Sequence, residues 1–282
     1  MKLFKKRPST SYPLSLLASD NLVEALENDK TSSFSFPVGK DSNGHYFYTD
    51  FQKFAHIVAA GQTGSGMAVF QDTMLASLIY KNTPDDLRLI LIDPKQVSLT
   101  LYKDSPYLQV PIINTPEESE MATKWLREEI ERRFETITKA GSRDIFEYNS
   151  KHKTKIHSIL LVIDEIADLM VVNGKYYEDL LVWIMQRSRS VGIFCFIATH
   201  RTSEEILPGP IRANSFTRLA FTLPTKEASA FMIDETGAEN LNGKGDLLFS
   251  SLSLNASPAI RLQAPFISDE NLIKVINYTS NL

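Results

Sequence analysis

Several features common in other protein classes are missing from this sequence. It has a single cysteine, Cys195, which excludes a disulfide framework and a cysteine-based zinc site and fits a reducing cytoplasm. It has no uninterrupted apolar run of about 18 residues, so we expect no transmembrane segment. The net charge of −4 excludes a general electrostatic attraction to nucleic acid but allows a local basic surface. Since no internal repeat or low-complexity linker occurs, we expect one main domain.

A glycine-rich loop also lacks two residue types that its pattern usually contains. Residues 61–68 read Gly61-Gln62-Thr63-Gly64-Ser65-Gly66-Met67-Ala68. This fits the phosphate-binding pattern G-x-x-x-x-G, in which Lys and then Ser or Thr follow the last glycine. The glycines let backbone N–H groups surround a phosphate. The ammonium group and the Mg²⁺-binding hydroxyl, however, are replaced by Met67 and Ala68. The loop therefore predicts a nucleotide-binding fold and argues against efficient catalysis.

Apolar strands alternate with helices from residue 55 onward. The pattern predicts strands at His56–Ala60, Leu87–Ile92, His157–Ile163, around Cys195 and at Thr217–Leu223, followed by short strands at Leu247–Phe249 and Ile260–Gln263. It predicts helices at Val69–Tyr80, Pro116–Lys139, Tyr176–Ser190 and Asp269–Tyr278. The inner face of the first helix is expected to contain Val69, Met74, Leu75, Leu78 and Ile79. Such alternation is typical of an α/β fold with a mostly parallel sheet and helices on both faces.

Residues 1–50 are expected to form a small N-terminal extension, with the main domain at 51–282. The extension starts with a basic stretch, residues 2–7, which is typical of a solvated tail. A short helix at Asn21–Glu27, capped by Asp20, should follow. Two strands, at Phe34–Val38 and Tyr46–Tyr48, should form a hairpin.

An acidic pair ends the third predicted strand of the main domain. Residues 159–163 are all apolar, and Asp164 and Glu165 follow them directly. In a nucleotide-hydrolysing site built on a phosphate-binding loop, the first acid holds the magnesium shell and the second polarises an attacking water. The bland alternative is an acidic pair that caps a helix, and the glycine loop upstream favours the catalytic interpretation.

Further motifs make a resemblance to one family specific. They are Gly61–Gly66, Ile92-Asp93-Pro94-Lys95, Glu131-Arg132-Arg133, Tyr148-Asn149, Val162–Met170, Ala198-Thr199-His200-Arg201, Ile211–Asn214, Thr217–Phe221, Gly237-Ala238-Glu239 and Gly243-Lys244-Gly245-Asp246. In order and spacing this series resembles the FtsK/SpoIIIE family of DNA translocases, and the match runs from Val38 to Glu270. The resemblance implies a RecA-like P-loop NTPase core, assembly into a hexameric ring and transport of double-stranded DNA through the central pore.

The resemblance also implies roles for individual residues. Gly61–Ala68 would bind the phosphates of ATP, Asp164 would bind Mg²⁺ and Glu165 would activate water. Arg189 matches the arginine finger that reaches a neighbouring subunit's nucleotide, with Arg187 as the nearby alternative. The implied DNA-binding residues, which would contact backbone phosphates without reading sequence, are Arg201, Arg212 and Lys226.

Departures from the family pattern lower the expected activity. A charge-assisted hydrogen bond from the missing lysine is worth roughly 1.5–3 kcal/mol, so ATP with Mg²⁺ should bind roughly 10- to 100-fold more weakly. Turnover should fall by several orders of magnitude, because the cation and the metal both act on charge that develops in the transition state. His200, Thr202 and Ala230 also replace residues usual in the family, namely Gln, Pro and often Arg.

Alternative interpretations remain open at this stage. A functioning translocase would need another cation in place of the lysine, and Lys95 and Lys40 are candidates by residue type. A non-catalytic ring subunit or adaptor of a conjugation or secretion machine is the second alternative. A P-loop small-molecule kinase is the weakest, since it leaves Arg189 and the region after Ala198 unexplained.

Overall fold

Five parallel strands form the centre of the molecule in the computed structural model, which describes residues 20–251 and 256–280. In sheet order they are β7 (Thr217–Phe221), β3 (His56–Ala60), β6 (Ile193–Thr199), β5 (Ser158–Ile163) and β4 (Leu87–Ile92). Each strand is parallel to its neighbour, with Ala60 paired to Thr199 and Ile163 to Ile197. The carboxyl ends of these strands therefore lie along one edge of the sheet, here called the carboxyl edge.

Four antiparallel strands extend the sheet beyond β7. They are β8 (Asp246–Ser251), β9 (Ala256–Gln263), β1 (Ser35–Lys40) and β2 (Tyr46–Asp50). The hairpin of β1 and β2 joins through the pair Lys40 and Gln263, so it continues the sheet at its edge. The described residues thus form a nine-stranded sheet of order β2-β1-β9-β8-β7-β3-β6-β5-β4. The domain boundary at residue 50 stays a prediction.

Helices cover both faces of this sheet, as the sequence predicts. Alternate strand residues face opposite ways, so Ile57 and Ala59 join one apolar cluster while Val58 and Ala60 join the other. The first cluster includes residues of α1 (Leu22–Asn28), α2 (Phe51–Phe54), α3 (Met67–Lys81) and α9 (Asp269–Ser280). The second includes residues of α4 (Pro116–Lys139), α5 (Ile145–Lys151), α6 (Ile166–Arg187), α7 (Gly209–Ala213) and α8 (Lys226–Ile233). The predicted α/β architecture is confirmed.

Two local predictions, for Val69 and Asp20, are wrong, and one helix was missed. Val69 is 37% exposed, whereas Met74, Leu75, Leu78 and Ile79 are buried, because Met67 and Phe70 form the first turn of the buried face of α3. The helix predicted at Tyr176–Ser190 is the part of α6 that follows a break at Asn173, while the part before the break, residues 166–172, was not predicted. Asp20 does not cap α1 with its side chain; its carboxylate accepts hydrogen bonds from Ser268 and Asn271, near the start of α9.

Other expectations can be compared directly with the described residues. Cys195 is fully buried and unpaired, and burial raises the pKa of its thiol to about 12. None of the helices in residues 20–251 and 256–280 has the length and apolar character needed to cross a membrane. The basic stretch at residues 2–7 lies outside the described residues.

A partly buried carboxyl group on α3, that of Asp72, makes stability depend on pH. Burial raises the pKa of Asp72 from 3.8 to about 7; the hydrogen bond from Tyr102 Oη opposes the rise, and the charges of Asp269 and Asp164 add to it. The folded-state pKa thus lies above the unfolded-state value. The contribution of Asp72 to the free energy of unfolding is therefore most favourable below pH 3.8, falls as the pH rises from 3.8 to about 7, and stays at its lowest value above that.

Replacing the Asp72 carboxyl with an amide should remove this loss of stability at high pH. We expect Asp72→Asn to raise the free energy of unfolding by about 1–3 kcal/mol near pH 8 and to change it much less near pH 4. Urea unfolding at the two pH values measures the difference. The exposed Asp85→Asn is the matched control and should behave as wild type at both. An equal effect of Asp72→Asn at both pH values would contradict titration as the cause.

Candidate nucleotide site

The glycine loop connects β3 to α3 at the carboxyl edge, which is the junction that such a loop requires. Gly61 N donates to Thr199 O at 3.2 Å, and Gln62 N donates to Thr222 O at 2.8 Å. The ends of β6 and β7, which lie on either side of β3, therefore hold the start of the loop. Gly64 and Gly66 have φ angles of 82° and 93°, a region that favours glycine. The loop therefore takes its shape from its glycines.

A second loop holds the glycine loop from outside. Gly245 N donates to Ser65 O at 2.8 Å, and Lys244 N donates to Gly64 O at 3.4 Å. A Cβ atom on Gly66 would overlap the backbone nitrogen of Gly245 and would lie 2.9 Å from its Cα. Residues 243–245 are thus a structural part of the site.

The first N–H groups of α3 face no intrahelical acceptor. This is a property of every helix start, and here it applies to the N–H groups of Gly66, Met67, Ala68 and Val69, whereas Phe70 N donates to Gly66 O at 3.0 Å. The partial positive charge of the helix dipole lies at the same place. The loop and the start of α3 together form a cradle suited to a phosphate group, as the sequence predicts.

The side chains at the two substituted positions give this cradle no cation and no hydroxyl. Met67 is 3% exposed and belongs to the apolar cluster that includes Phe70 and Met74. Ala68 is exposed and carries only a methyl group. Phosphate binding must therefore depend on backbone N–H groups and on cations from other elements.

Asp164 and α3 are in direct contact. Gln71, one turn after Met67, donates from Nε2 to Asp164 Oδ1 at 3.1 Å. Burial raises the pKa of Asp164, and the nearby charge of Asp93 adds to the rise, while hydrogen bonds from Ser98 and Gln71 act in the opposite direction. The structure thus brings together the glycine loop and the acidic pair, although they are far apart in sequence.

The Glu165 carboxylate is buried, and both of its oxygens accept hydrogen bonds. Its Oε1 accepts from Thr199 Oγ1 at 2.6 Å and from Ala167 N at 3.2 Å. Its Oε2 accepts from His200 N at 3.1 Å and lies 3.4 Å from Lys95 Nζ. Of the two cations considered from sequence, Lys95 therefore lies at the site. Lys40 lies elsewhere, paired with Glu24 and placed over the Tyr46 ring.

His200 connects the acidic pair to the glycine loop. Its Nδ1 lies 2.6 Å from Gly61 O, and a carbonyl can only accept, so Nδ1 carries the proton. Its backbone N–H donates to Glu165. The residue after β6 thus touches both halves of the site.

Arg189 lies away from this site within its own chain. It sits in the turn Ser188–Val191 just before β6, whereas Thr199 ends β6 at the carboxyl edge. Seven residues of strand separate the two ends by about 20 Å. The Arg189 side chain is exposed, and its Nε donates to Gln52 O at 3.2 Å. A role in nucleotide chemistry would therefore require a second subunit.

The three predicted DNA-binding residues differ in exposure and in the bonds that their side chains make within the chain. Arg201 and Lys226 are exposed and follow the carboxyl ends of β6 and β7. Arg212 is largely used within the chain, since it donates to Leu207 O and Phe231 O and pairs with Glu204 Oε2 at 2.7 Å. Its guanidinium also stacks 3.9 Å from the Phe231 ring centroid. Arg201 and Lys226 are consequently the better placed of the three for a new partner.

Some residues of the site are not evident from sequence. Gln71 belongs to a helix whose pattern indicates only an apolar inner face, and Thr199 looks like the end of a buried strand. A usable signal existed for Gln71, because a residue one turn after the loop lies on the same side of the helix. That signal does not specify Asp164 as the partner.

A glycine loop between a parallel strand and a helix, facing acids at the end of a second strand, defines a P-loop NTPase core. The chain belongs to the FtsK/SpoIIIE family, whose sequence profile matches residues 20–204. The family predicted from the motifs is therefore confirmed. Members of this class in general bind a nucleotide together with Mg²⁺.

Curated relatives of the chain are DNA translocases named FtsK. The protein of Leptospira interrogans (serovar copenhageni) is 39% identical over 265 residues, which is 91% of this chain and 28% of that protein. The protein of Caldanaerobacter subterraneus is 37% identical over 262 residues, which is 91% of this chain and 37% of that protein. The chain thus spans well under half the length of these relatives.

Solved structures agree on the fold. The conjugation coupling protein TcpA of pCW3, in a monomer form with ATPγS, superposes with a TM-score of 0.78 at 25% identity, covering 90% of this chain and 72% of that chain. EssC ATPases 2 and 3 from Geobacillus thermodenitrificans also give a TM-score of 0.78, at 18% identity, over 88% of this chain and 49% of that chain. The second comparison shows the fold alone.

Proposed function

We propose that this chain is an FtsK/SpoIIIE-like motor domain that binds nucleotide and double-stranded DNA as a ring and hydrolyses ATP poorly. One observation carries the proposal. The phosphate cradle, Asp164 and Glu165 lie together at the carboxyl edge, while Met67 is buried and Ala68 has no hydroxyl. ATP binding is accordingly weak, and a cytoplasmic location is part of the same proposal.

The exposed position of Arg189 supports the proposed ring, for which the family resemblance implies a hexamer. This exposed arginine lies at the opposite end of β6 from its own nucleotide site. A neighbouring subunit could receive it as an arginine finger, which stabilises transition-state charge from outside the site. Arg187 is less suited to this role, because its guanidinium stacks on the Trp183 ring and lies near Glu131.

DNA contact is assigned to the carboxyl edge, where Arg201 and Lys226 lie. Both are exposed, and Lys226 occupies the first turn of α8, where the helix dipole adds positive potential. Phosphate contacts of this kind give affinity without sequence preference. The net charge of −4 restricts such binding to a local surface.

Removing these two charges should weaken DNA binding in a salt-dependent manner. We expect Arg201→Ala with Lys226→Ala to lower affinity for random duplex DNA and to reduce the slope of log K against log salt by about 2. Fluorescence anisotropy over a salt series measures both quantities. The control, Lys139→Ala with Arg143→Ala, removes two exposed charges from the opposite edge of the sheet, before β5. Equal losses in the two double variants would contradict the assignment.

A non-catalytic ring subunit or an adaptor of a conjugation or secretion machine is the second candidate. The similarity to TcpA, a conjugation coupling protein, favours it together with the buried Met67. The same anisotropy series separates the two candidates. A DNA-handling motor domain binds duplex DNA with a steep salt dependence, and a protein adaptor does not.

A further inference from the structure

The position of Asp164 raises the question of what its carboxylate binds in this chain. Metal sites in P-loop proteins combine this acid with the hydroxyl of the loop, and Ala68 provides no such oxygen. Within the residues that the structure describes, no group of three or more His, Cys, Asp or Glu side chains is placed to hold a metal ion. Of the two usual protein ligands, the loop hydroxyl and the acid, only the acid Asp164 remains.

Neutral donors already occupy this acid. Gln71 Nε2 donates to Asp164 Oδ1 at 3.1 Å, and the Ser98 side chain also hydrogen-bonds to Asp164. Gln71 is buried, and it comes from the helix that starts at the phosphate cradle. An amide N–H and a hydroxyl therefore already donate to the carboxylate, which a divalent cation and its waters would otherwise bind.

The orientation of the Gln71 amide follows from its surroundings. A carboxylate only accepts hydrogen bonds, so Nε2 must face Asp164. Gln71 Oε1 has no hydrogen-bond partner among the described residues. A rotation of the amide would place this oxygen against the carboxylate, which is unfavourable unless a cation lies between them. Without a cation, the observed orientation is the stable one.

We infer that the Gln71 amide takes the place of the divalent cation, so that this site binds a nucleoside polyphosphate without Mg²⁺. The inference rests on the proposed nucleotide-binding function and specifies its ligand as the uncomplexed nucleotide. The residues present do not fit a tightly held metal, whereas the backbone cradle fits phosphate oxygens in either case. Lys95, beside Glu165, supplies a positive charge to the site.

Titration of the wild-type chain with a fluorescent ATP analogue tests this directly, once with saturating Mg²⁺ and once with EDTA. We expect the two Kd values to agree within about twofold. Ala68→Ser with Gln71→Leu restores the hydroxyl and removes the amide, so Mg²⁺ should tighten binding to this variant at least about tenfold. Gln109→Leu, a glutamine change away from the site, should leave the wild-type ratio unchanged.

The outcomes separate the inference from the proposed function. Tightening of wild-type binding by tenfold or more with Mg²⁺ would overturn the inference and leave nucleotide binding intact. No binding in either condition would overturn nucleotide binding and the inference together. Because the wild-type titrations decide the matter, a poorly folded variant does not affect the conclusion.

Discussion

Met67→Lys combined with Ala68→Ser is expected to raise DNA-stimulated ATP turnover at least about 100-fold above wild type. The change supplies a cation and a hydroxyl at the start of α3, next to a cradle that is already formed. Met67 lies in an apolar cluster, where an ammonium group is strongly disfavoured, so the lysine should turn toward the phosphates. The hydrogen bond from Gln71 to the Asp164 carboxylate is worth about 1.5–3 kcal/mol, and a metal that also binds the hydroxyl restored by Ala68→Ser can displace it.

A steady-state ATPase assay with duplex DNA measures this effect. The matched control is Glu165→Gln in the doubly substituted background, which keeps the shape of the side chain and removes the acid that would activate water. It should return turnover to the wild-type level. Equal turnover in the wild type and the double variant would show that the two substitutions do not limit hydrolysis, and the proposal of impaired catalysis would then fall.

Gly66→Ala is expected to lower the free energy of unfolding by about 3–5 kcal/mol. Two effects add at this position. The φ angle of 93° is unfavourable for a residue with a Cβ atom, and that atom would overlap the backbone of Gly245. Neither backbone can yield without breaking the hydrogen bond between Gly245 N and Ser65 O. The loop at residues 243–245 should therefore separate from the cradle.

Gly64→Ala is the matched control for this change. Its φ angle of 82° is similarly strained, but no atom lies within 4 Å of the added Cβ. We expect it to cost about 1–2 kcal/mol, the backbone strain alone. Chemical denaturation of both variants gives the comparison. Equal losses would show that the contact between the two loops contributes nothing to stability.

Local sequence signals predicted the parts of the site that lie on consecutive elements. The strand before Gly61, the helix after Gly66 and the acids after Ile163 are all visible because burial and periodicity repeat within one element. The family motifs supplied the rest of the assignment. The fold was accordingly predictable as an α/β sheet with its phosphate loop at a strand end.

Contacts between distant segments were not predictable in the same way. The hairpin of residues 35–50 pairs with β9 near the end of the chain, and no sequence feature of either segment identifies the other as its partner. Likewise, Gln71 meets Asp164, and Arg212 is held by Glu204 and two carbonyls, only because several elements converge in space. The first part of α6, residues 166–172, was also missed, and a break at Asn173 separates it from the helix predicted at Tyr176–Ser190.

Strand β6 has a mechanical consequence. Arg189 precedes its first residue, and Thr199 and His200 at its far end grip Glu165 and Gly61. Hydrogen bonding to β3 and β5 makes this strand a stiff rod through the middle of the molecule. In a closed ring, Arg189 of one protomer would contact the nucleotide of its neighbour. A displacement of Arg189 would then shift β6, and with it the contacts of Thr199 and His200 in the nucleotide site of its own protomer.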